Sequence, residues 1–445
     1  MKRDLYEILY QWKKDRNRRP LLVRGARQVG KTFLVNEFGK REFDSLITLN
    51  FEKNPEYKEI FNSLEPRNIL EKITLFTGKR VEPGKTLIFF DEVQDCASAI
   101  MALRYFYEEM QLLHIIAAGS LVEFTLESEN FRVPVGRIQY VYLFPMSFGE
   151  FLEATGEKNL RNHICGHNRL QILPESLHVK LNEHIRKYFI LGGMPAVVQE
   201  YCETGDIIAC QRIQRAIIDT YQDDFGKYSR KLKHRYLSKI YNAVPKMVGR
   251  KFVYAHVDNA IKSRELKEAL ELLEMAGVVR KIKRTSGAGL PLEAGVKDAY
   301  FKVLFLDVGL LHAVNGIYTD TAQAKDFTVL FKGAVAEQFV GQELLAYQNP
   351  YSKPLLYYWA REAKNSNAEL DYIIQKEGSV IPIEVKSGSI GRMKSMRMFM
   401  EKYQVQQGIK ISQAPYDSEN RIISLPFYSL EGFMRTGKAL RLSKY

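Results

Sequence analysis

The residue pattern with the clearest chemistry lies near the N-terminus. An apolar run at residues 21–23 leads into Gly-x-x-x-x-Gly-Lys-Thr over residues 25–32, and a helix is predicted from Phe33. Gly25 and Gly30 allow the backbone to approach an anion closely, because a side chain at either position would block it. The loop amides and the positive end of the following helix then point at a phosphate. The spacing therefore predicts a phosphate-binding P-loop.

Two residues of this loop carry charge and metal-binding chemistry. Lys31 supplies a mobile positive charge for the β- and γ-phosphates, and Thr32 offers a hydroxyl to Mg²⁺. The expected ligands are therefore ATP and Mg²⁺. The predicted nucleotide contacts in this segment are Gly25, Arg27, Gln28, Val29, Gly30, Lys31, Thr32 and Phe33. The alternative interpretation is a glycine-rich turn that precedes a helix by chance.

A second stretch ends in two acids. Residues 86–92 predict a strand that is buried on both faces of a parallel sheet and ends in Asp91 and Glu92. Ligands of such sheets bind outside the carboxyl ends of the strands. Asp91 fits the role of a Mg²⁺ carboxylate, and Glu92 fits the base that polarises an attacking water. The alternative is a strand that ends in a solvated acidic turn.

Two further polar residues lie beside predicted strands. Residues 114–120 predict another buried strand, which ends in the small polar residue Ser120. Ser120 either senses the γ-phosphate or the attacking water, or it serves as a helix N-cap. Arg137 precedes a strand, which is a poor place for a helix-surface charge. Its two interpretations are an arginine finger, in its own site or a neighbour's, and a salt bridge to a carboxylate.

Carboxylates and a lysine gather on predicted elements of the C-terminal region. Glu337 lies on a helix predicted over residues 332–345, and Asp371 lies on a predicted strand. Period-two alternation puts Glu384 and Lys386 on one face of the next strand, and a hairpin lays the two strands side by side. Asp371 and Glu384 would then hold one or two Mg²⁺ ions for phosphodiester cleavage, with Glu337 as a further catalytic carboxylate. Lys386 would orient or activate the attacking water, or neutralise the developing charge. The alternative is an ion pair between Glu384 and Lys386 on a solvated face.

Four segments carry a resemblance to a known family. They are residues 25–32, 87–92, 118–120 and 135–137. Over nearly its whole length the chain resembles a prokaryotic AAA+/STAND-like ATPase family, whose members carry a winged-helix segment and a PD-(D/E)XK nuclease-like C-terminal domain. In STAND-type ATPases a Gly-x-Pro in the lid packs against the adenine, so the matching residues 193–195 imply an adenine contact for Pro195. The alternative for this segment is a helix C-cap glycine followed by a proline stop.

The predicted elements indicate the α/β fold class. A P-loop NTPase parallel sheet with helices on both faces comes first, followed by a helical and winged-helix domain and a C-terminal α/β restriction-endonuclease-like domain. The predicted ranges are 1–160 for the AAA+-like ATPase domain, 161–225 for a helical lid, 226–322 for the winged-helix-like domain and 323–445 for the nuclease-like domain.

The winged-helix-like segment gives opposing signals about nucleic acid. The helix predicted over Ser263–Met275 carries four glutamates, which would repel phosphates in a major groove. The hairpin after it is basic at residues 280–284 and is the better candidate for phosphate contact. Further along the chain, Arg392 and Lys394 could follow a nucleic-acid backbone. For the winged-helix-like segment we therefore expect contact with the nucleic-acid backbone or packing against protein, and no readout of the bases.

Composition limits the class of protein. The 445 residues are too many for one core, and 46% hydrophobic with 26% charged residues is typical of a soluble globular chain. No apolar run approaches the ~20 residues of a membrane helix, so we expect no membrane partner. The four scattered cysteines predict reduced thiols and a cytoplasmic location. The net charge of +13 favours a polyanion, so DNA or another nucleic acid is a candidate partner, and self-association is a second.

Two functions fit these features. The first is an ATP-hydrolysing enzyme coupled to a nucleic-acid-acting, metal-dependent nuclease domain. The second is a STAND-type regulatory switch, in which nucleotide state controls an interaction and the C-terminal domain is a non-catalytic scaffold that binds protein or DNA. Intact Asp371, Glu384 and Lys386 favour the first, whereas the acidic helix over Ser263–Met275 favours the second.

Overall fold

The structure is a computed structural model, in which the chain divides into two compact units. The structure describes residues 1–126, 136–166, 172–225, 231–316, 333–362, 368–387 and 393–435. Unit 1 consists of Met1–Phe144, Met275–Gly277 and Asn349–Pro354. Unit 2 consists of Pro145–Glu274, Val278–Gln348 and Leu355–Tyr445. Val135 and Arg392, which the sequence analysis singled out, lie outside the described residues.

Unit 1 is built on a five-stranded sheet. Its strands are β1 (Leu21–Arg24), β2 (Ser45–Asn50), β3 (Thr86–Asp91), β4 (His114–Ala118) and β5 (Gln139–Tyr142). Their order is β2-β3-β4-β1-β5, and every pair is parallel. All residues of β3 and β4 are buried, as expected for strands covered on both faces. The expected α/β fold with a parallel sheet is thus confirmed.

Helices cover this sheet and enclose an aromatic core. The helices of unit 1 are Leu5–Lys14, Lys31–Glu42, Pro66–Thr77, Ala97–Glu109 and Val122–Leu126. Phe61 makes edge-to-face contacts with Phe51 and Phe90, with ring centroids 5.6 Å and 5.2 Å apart. Such pairs add about 0.5–1.5 kcal/mol beyond the burial of their area. The carboxyl ends of β1 and β3 are therefore fixed by a packed interior.

Unit 2 contains more helix than unit 1. Its helices are Phe148–Ala154, Lys158–Gly166, Glu175–Leu191, Pro195–Thr204, Ile207–Asp223, Lys231–Met247, Ser263–Met275, Val308–Val314, Gly333–Ala346, Lys394–Tyr403 and Leu430–Arg435. The predicted helix over Ser263–Met275 is confirmed. The helix that carries Glu337 begins at Gly333, and Lys332 lies outside the described residues.

The strands of unit 2 form one eight-stranded sheet. They are β6 (Val279–Thr285), β7 (Val296–Phe305), β8 (Leu356–Ala360), β9 (Glu369–Lys376), β10 (Ser379–Val385), β11 (Gly408–Ser412), β12 (Asp417–Glu419) and β13 (Ile422–Pro426). Their order is β12-β13-β11-β10-β9-β8-β6-β7. β6 and β7 form the predicted hairpin, and β6 also pairs with β8. Strands from both sides of the predicted domain boundary at residue 322 therefore belong to one sheet. The division into four sequence ranges stays a prediction.

Two expectations about environment can be compared with the structure. Within the described ranges, no helix has the length and apolar character needed to cross a bilayer. All four cysteines carry free thiols. The cytoplasmic location stays a prediction.

Candidate functional site

The loop between β1 and the helix Lys31–Glu42 has a backbone that its glycines make possible. Gly25 has φ 151° and Gly30 has φ 94°, both in the region that favours glycine. A Cβ on Gly25 would lie 2.2 Å from the carbonyl oxygen of Leu143. Gln28 also has positive φ, at 61°, and Val29 is buried while Phe33 is exposed. The P-loop segment therefore forms a tight turn whose amides precede a helix N-terminus.

Lys31 lies folded into this loop. Its ammonium donates hydrogen bonds to the carbonyl oxygens of Ala26 at 2.7 Å and Gly25 at 3.0 Å. Burial lowers the pKa of Lys31 to about 8, although Glu92 and Asp91 act to raise it. The loop thus holds a positive charge close to the two acids, where an anionic ligand would stabilise it.

Thr32 and Asp91 meet at the end of β3. The Thr32 hydroxyl donates to Asp91 Oδ1 at 2.9 Å. The amide of Asn50 donates to Asp91 Oδ2 at 2.8 Å. Burial raises the pKa of Asp91, and the hydrogen bond from Thr32 opposes that shift. A hydroxyl and a carboxylate are oxygen ligands that suit Mg²⁺, so these two residues fit the predicted metal.

Asn50 is a site residue that the sequence analysis missed. It ends β2 and stands opposite Asp91 in the parallel register. The sequence does show a polar residue at the end of β2. Its importance becomes visible only when β2 is known to lie beside β3, the strand that ends in Asp91. Its amide orients the Asp91 carboxylate.

Glu92 is held in a special conformation. It has φ 50°, which places a non-glycine residue in the left-handed region, where strain is often functional. The side-chain amide of Gln94 donates to Glu92 Oε2 at 2.8 Å. Gln94 was also missed by sequence analysis, because nothing in its spacing distinguishes it from a solvated loop residue. The turn after β3 therefore fixes both the backbone and the carboxylate of Glu92.

Ser120 and Arg27 complete this edge of the sheet. Ala118, the last residue of β4, stands opposite Asp91, so Ser120 lies close to the acids in the fold. Ser120 is buried, and Arg27 Nε donates to its hydroxyl at 3.4 Å. Another guanidinium nitrogen of Arg27 is 3.7 Å from Glu52 Oε1. The structure thus brings together the loop, the acidic strand end and Ser120.

Arg137 lies in an ion pair. Its Nε donates to Glu108 Oε1 at 2.8 Å, and the side chain is partly exposed. Arg104 of the same helix as Glu108 also contacts that carboxylate, at 3.1 Å. The arginine-finger role stays a prediction.

Pro195 begins a helix in unit 2. The preceding Gly193 donates its amide hydrogen to Asp307 Oδ2 at 2.7 Å. A Cβ on Gly193 would lie 2.0 Å from the carbonyl oxygen of Met146. The Gly-x-Pro turn is therefore held by its own unit, and the adenine contact of Pro195 stays a prediction.

The predicted C-terminal residues come together around β9 and β10. Asp371 Oδ2 accepts a hydrogen bond from the Val385 amide at 2.7 Å. Lys386 Nζ lies 2.6 Å from Glu384 Oε1. Glu384 is buried, and its Oε2 has no hydrogen-bond partner among the described residues. Burial raises the pKa of Glu384, and the hydrogen bond from Lys386 opposes that shift.

A buried lysine enters this group from β7. Lys302 is 0% exposed, and its ammonium lies 2.5 Å from Glu369 Oε1, 3.3 Å from Glu337 Oε2 and 3.6 Å from Asp371 Oδ1. Burial alone would lower the pKa of Lys302, but the carboxylates, with Glu337 first, raise it above its usual value. We call Lys302, Glu337, Glu369 and Asp371 the carboxylate cluster.

Sequence analysis assigned no role to Lys302. The available signal was a lysine between the apolar residues Phe301 and Val303 in an alternating strand. Buried lysines are rare unless they are paired. Finding its partners requires knowing that β7 belongs to the same sheet as β9.

The cluster does not match a metal site. Within the described part of the chain, no group of three or more histidine, cysteine, aspartate and glutamate side chains is arranged to hold a metal ion. An ammonium already lies among the carboxylates of Glu337, Glu369 and Asp371. The carboxylate cluster around Lys302 therefore does not fit a divalent ion in this arrangement, and Mg²⁺ binding by Asp371 together with Glu384 stays a prediction.

Basic residues of the predicted wing are paired with acids. Lys281 Nζ lies 3.0 Å from Glu274 Oε2. Lys283 Nζ lies 2.9 Å from Asp298 Oδ1. Such surface pairs add little to stability, but they reduce the charge available to a phosphate backbone. Phosphate contact by the wing stays a prediction.

Comparison with protein-family models finds three matches along the chain. Residues 17–152 match a model described as an AAA domain. The N-terminal part of this chain is therefore similar to AAA domains, and the P-loop described above lies within the matched residues. Residues 182–321 match a domain of unknown function (DUF8612), and residues 332–428 match another domain of unknown function (DUF4143). No curated protein matches the chain.

Three solved structures illustrate what the chain is similar to. The Walker-type ATPase PABY2304 of Pyrococcus abyssi is 17% identical with a TM-score of 0.44, covering 70% of this chain and 94% of that one. The ORC2 protein of Aeropyrum pernix, in its ADPNP–ADP complexes, is 12% identical with a TM-score of 0.36, covering 72% and 93%. A STAND protein with a tetratricopeptide repeat sensor from Pyrococcus horikoshii is 13% identical with a TM-score of 0.25, covering 77% and 45%.

Proposed function

We propose that this chain binds ATP with Mg²⁺ and hydrolyses it. The observation that carries the proposal is the convergence of a lysine, a hydroxyl and two carboxylates beside the glycine-rich loop of an AAA domain. Thr32 Oγ1 is 2.9 Å from Asp91, and Lys31 is close enough to Asp91 and Glu92 for both to raise its pKa.

We assign each of these residues a role that its position supports. Lys31 and the loop amides would neutralise the β- and γ-phosphates. Thr32 and Asp91 would hold Mg²⁺, which would supply positive charge to the phosphate oxygens. Glu92 accepts a proton from the attacking water. Ser120 orients the γ-phosphate or that water from the end of β4.

Nucleotide binding and hydrolysis can be tested separately. Lys31→Ala should abolish ATP binding in isothermal titration, and Glu92→Gln should bind ATP while kcat falls by about 10²–10⁴-fold. Lys40→Ala serves as the control, since Lys40 is exposed on the same helix as Lys31. Wild-type ATP affinity in folded Lys31→Ala would remove the proposal.

For the C-terminal region we propose a non-catalytic scaffold that binds protein or nucleic acid under nucleotide control. The supporting observation is that Glu384 is paired with Lys386, and Glu337 and Asp371 with Lys302. The competing proposal is a metal-dependent nuclease, supported by the juxtaposition of Asp371, Glu384 and Lys386 and by the unpartnered Glu384 oxygen. The net charge of +13 suits a nucleic-acid partner in either case.

A further inference from the structure

We infer that Lys302 occupies the position of a cation in the carboxylate cluster and excludes divalent metal from it. The inference rests on the proposed scaffold role and adds the residue responsible for it. A single lysine on a neighbouring strand would then decide whether this sheet edge carries metal chemistry.

The contacts of Lys302 resemble those of a bound cation. An ammonium has three donors and no acceptor. Around it lie three carboxylates from two elements, the helix Gly333–Ala346 and β9, with the closest oxygen at 2.5 Å. Its side chain is fully enclosed, so the charge is held in one place. A divalent ion that lay between all three carboxylates would have to displace this buried side chain.

Two further oxygens next to the cluster are paired as well. Asp371 Oδ2 accepts the Val385 amide, and Glu384 Oε1 accepts from Lys386. Mg²⁺ demands near-ideal octahedral geometry and keeps several waters. Oxygens that point at an ammonium and a backbone amide do not provide that geometry.

Removing the positive charge should open the site. Lys302→Gln keeps most of the side-chain length but leaves three partly buried carboxylates without their counter-ion. Uncompensated charge of this kind favours capture of a cation. Lys297→Gln is the matched control. Lys297 lies on the same strand, is half exposed and pairs with Glu362 at 2.6 Å, away from the cluster.

The test is Mn²⁺ binding to the nucleotide-free full chain, followed by electron paramagnetic resonance and titration calorimetry. We expect Lys302→Gln to gain one Mn²⁺ site, bound at least about tenfold more tightly than by wild type. Lys297→Gln should bind as wild type does. The new site should disappear in the double variant Lys302→Gln/Asp371→Asn.

Two results would overturn the inference. One is a wild-type Mn²⁺ site that Asp371→Asn removes, and this comparison does not require Lys302→Gln to fold. The other is a folded Lys302→Gln, by circular dichroism, that gains no Mn²⁺. Both results are measured as Mn²⁺ binding. The scaffold proposal fails on a different result, which is cleavage of plasmid by the wild type, so the two failures can be told apart.

Discussion

One amide controls the carboxylate that we assign as the general base. Gln94 Nε2 donates to Glu92 Oε2, while Gln94 Oε1 is buried with no hydrogen-bond partner among the described residues. That oxygen lies beside Gly119, where a Cβ would approach it to 2.1 Å. A buried, half-satisfied amide is costly, which suggests that it is kept for what it does to Glu92.

Gln94→Ala tests this positioning role. We expect the ATP dissociation constant and KM to stay within about twofold while kcat falls about tenfold, because Glu92 loses its fixed orientation. Steady-state ATPase kinetics with calorimetric titration would separate the two effects. Gln11→Ala is the control, as it removes an exposed hydrogen bond from Gln11 to Glu7. Unchanged kcat in Gln94→Ala would contradict the role.

At the scale of elements, a short helix is fixed by one buried carboxylate. Asp307 caps the helix Val308–Val314 by accepting from the amides of Gly309 at 2.9 Å and Leu310 at 3.1 Å. Its other oxygen accepts from Gly193 at 2.7 Å and from Gln342 at 3.2 Å. The same carboxylate therefore caps one helix and holds the turn before Pro195, which links segments far apart in sequence.

The packing of this helix predicts an acid-sensitive stability. Burial lowers the pKa of His312 to about 4, below the usual ~6.5 of an unfolded chain. Between these values only the unfolded state binds the proton, so the free energy of unfolding of unit 2 falls as pH drops. From pH 7 to pH 5 the wild type should lose about 2 kcal/mol more than His312→Leu.

Urea unfolding can measure this difference. Trp12 lies in unit 1 and Trp359 in unit 2, so a Trp12→Phe background leaves Trp359 fluorescence as the reporter of unit 2. His256→Leu, which changes an exposed histidine of the same unit, is the matched control. Equal losses in wild type and His312→Leu would show that His312 does not cause the acid sensitivity.

At the scale of the whole molecule, the question is whether the chain cuts nucleic acid. Its net charge is +13, yet wing lysines such as Lys281 and Lys283 are paired with acids. We expect the wild type to leave supercoiled plasmid intact with Mg²⁺ or Mn²⁺, with or without ATP. Gel electrophoresis would show the result. Cleavage that EDTA stops and that Asp371→Ala and Lys386→Ala both lose would restore the nuclease proposal.

Sequence alone could predict residues whose roles are local. The P-loop from Gly25 to Thr32, the strand ending in Asp91 and the α/β class follow from spacing and from apolar runs, because a turn and a buried strand depend on neighbouring residues. Asn50 and Lys302 could not be predicted, because their partners belong to other strands. Strand order arises from packing across the whole unit, which periodicity does not encode.

The shared sheet of unit 2 limits how this chain can be dissected. β6 hydrogen-bonds to β8 across the boundary near residue 322, and Lys302 on β7 takes its counter-ions from beyond it. A truncated polypeptide that ends there would expose the unpaired edge of a β-strand. It would also leave the buried ammonium of Lys302 without its carboxylate partners, and both effects favour aggregation. Gene fragments intended for crystallisation or interaction screens should therefore encode all strands of the eight-stranded sheet, from both sides of residue 322, in one open reading frame.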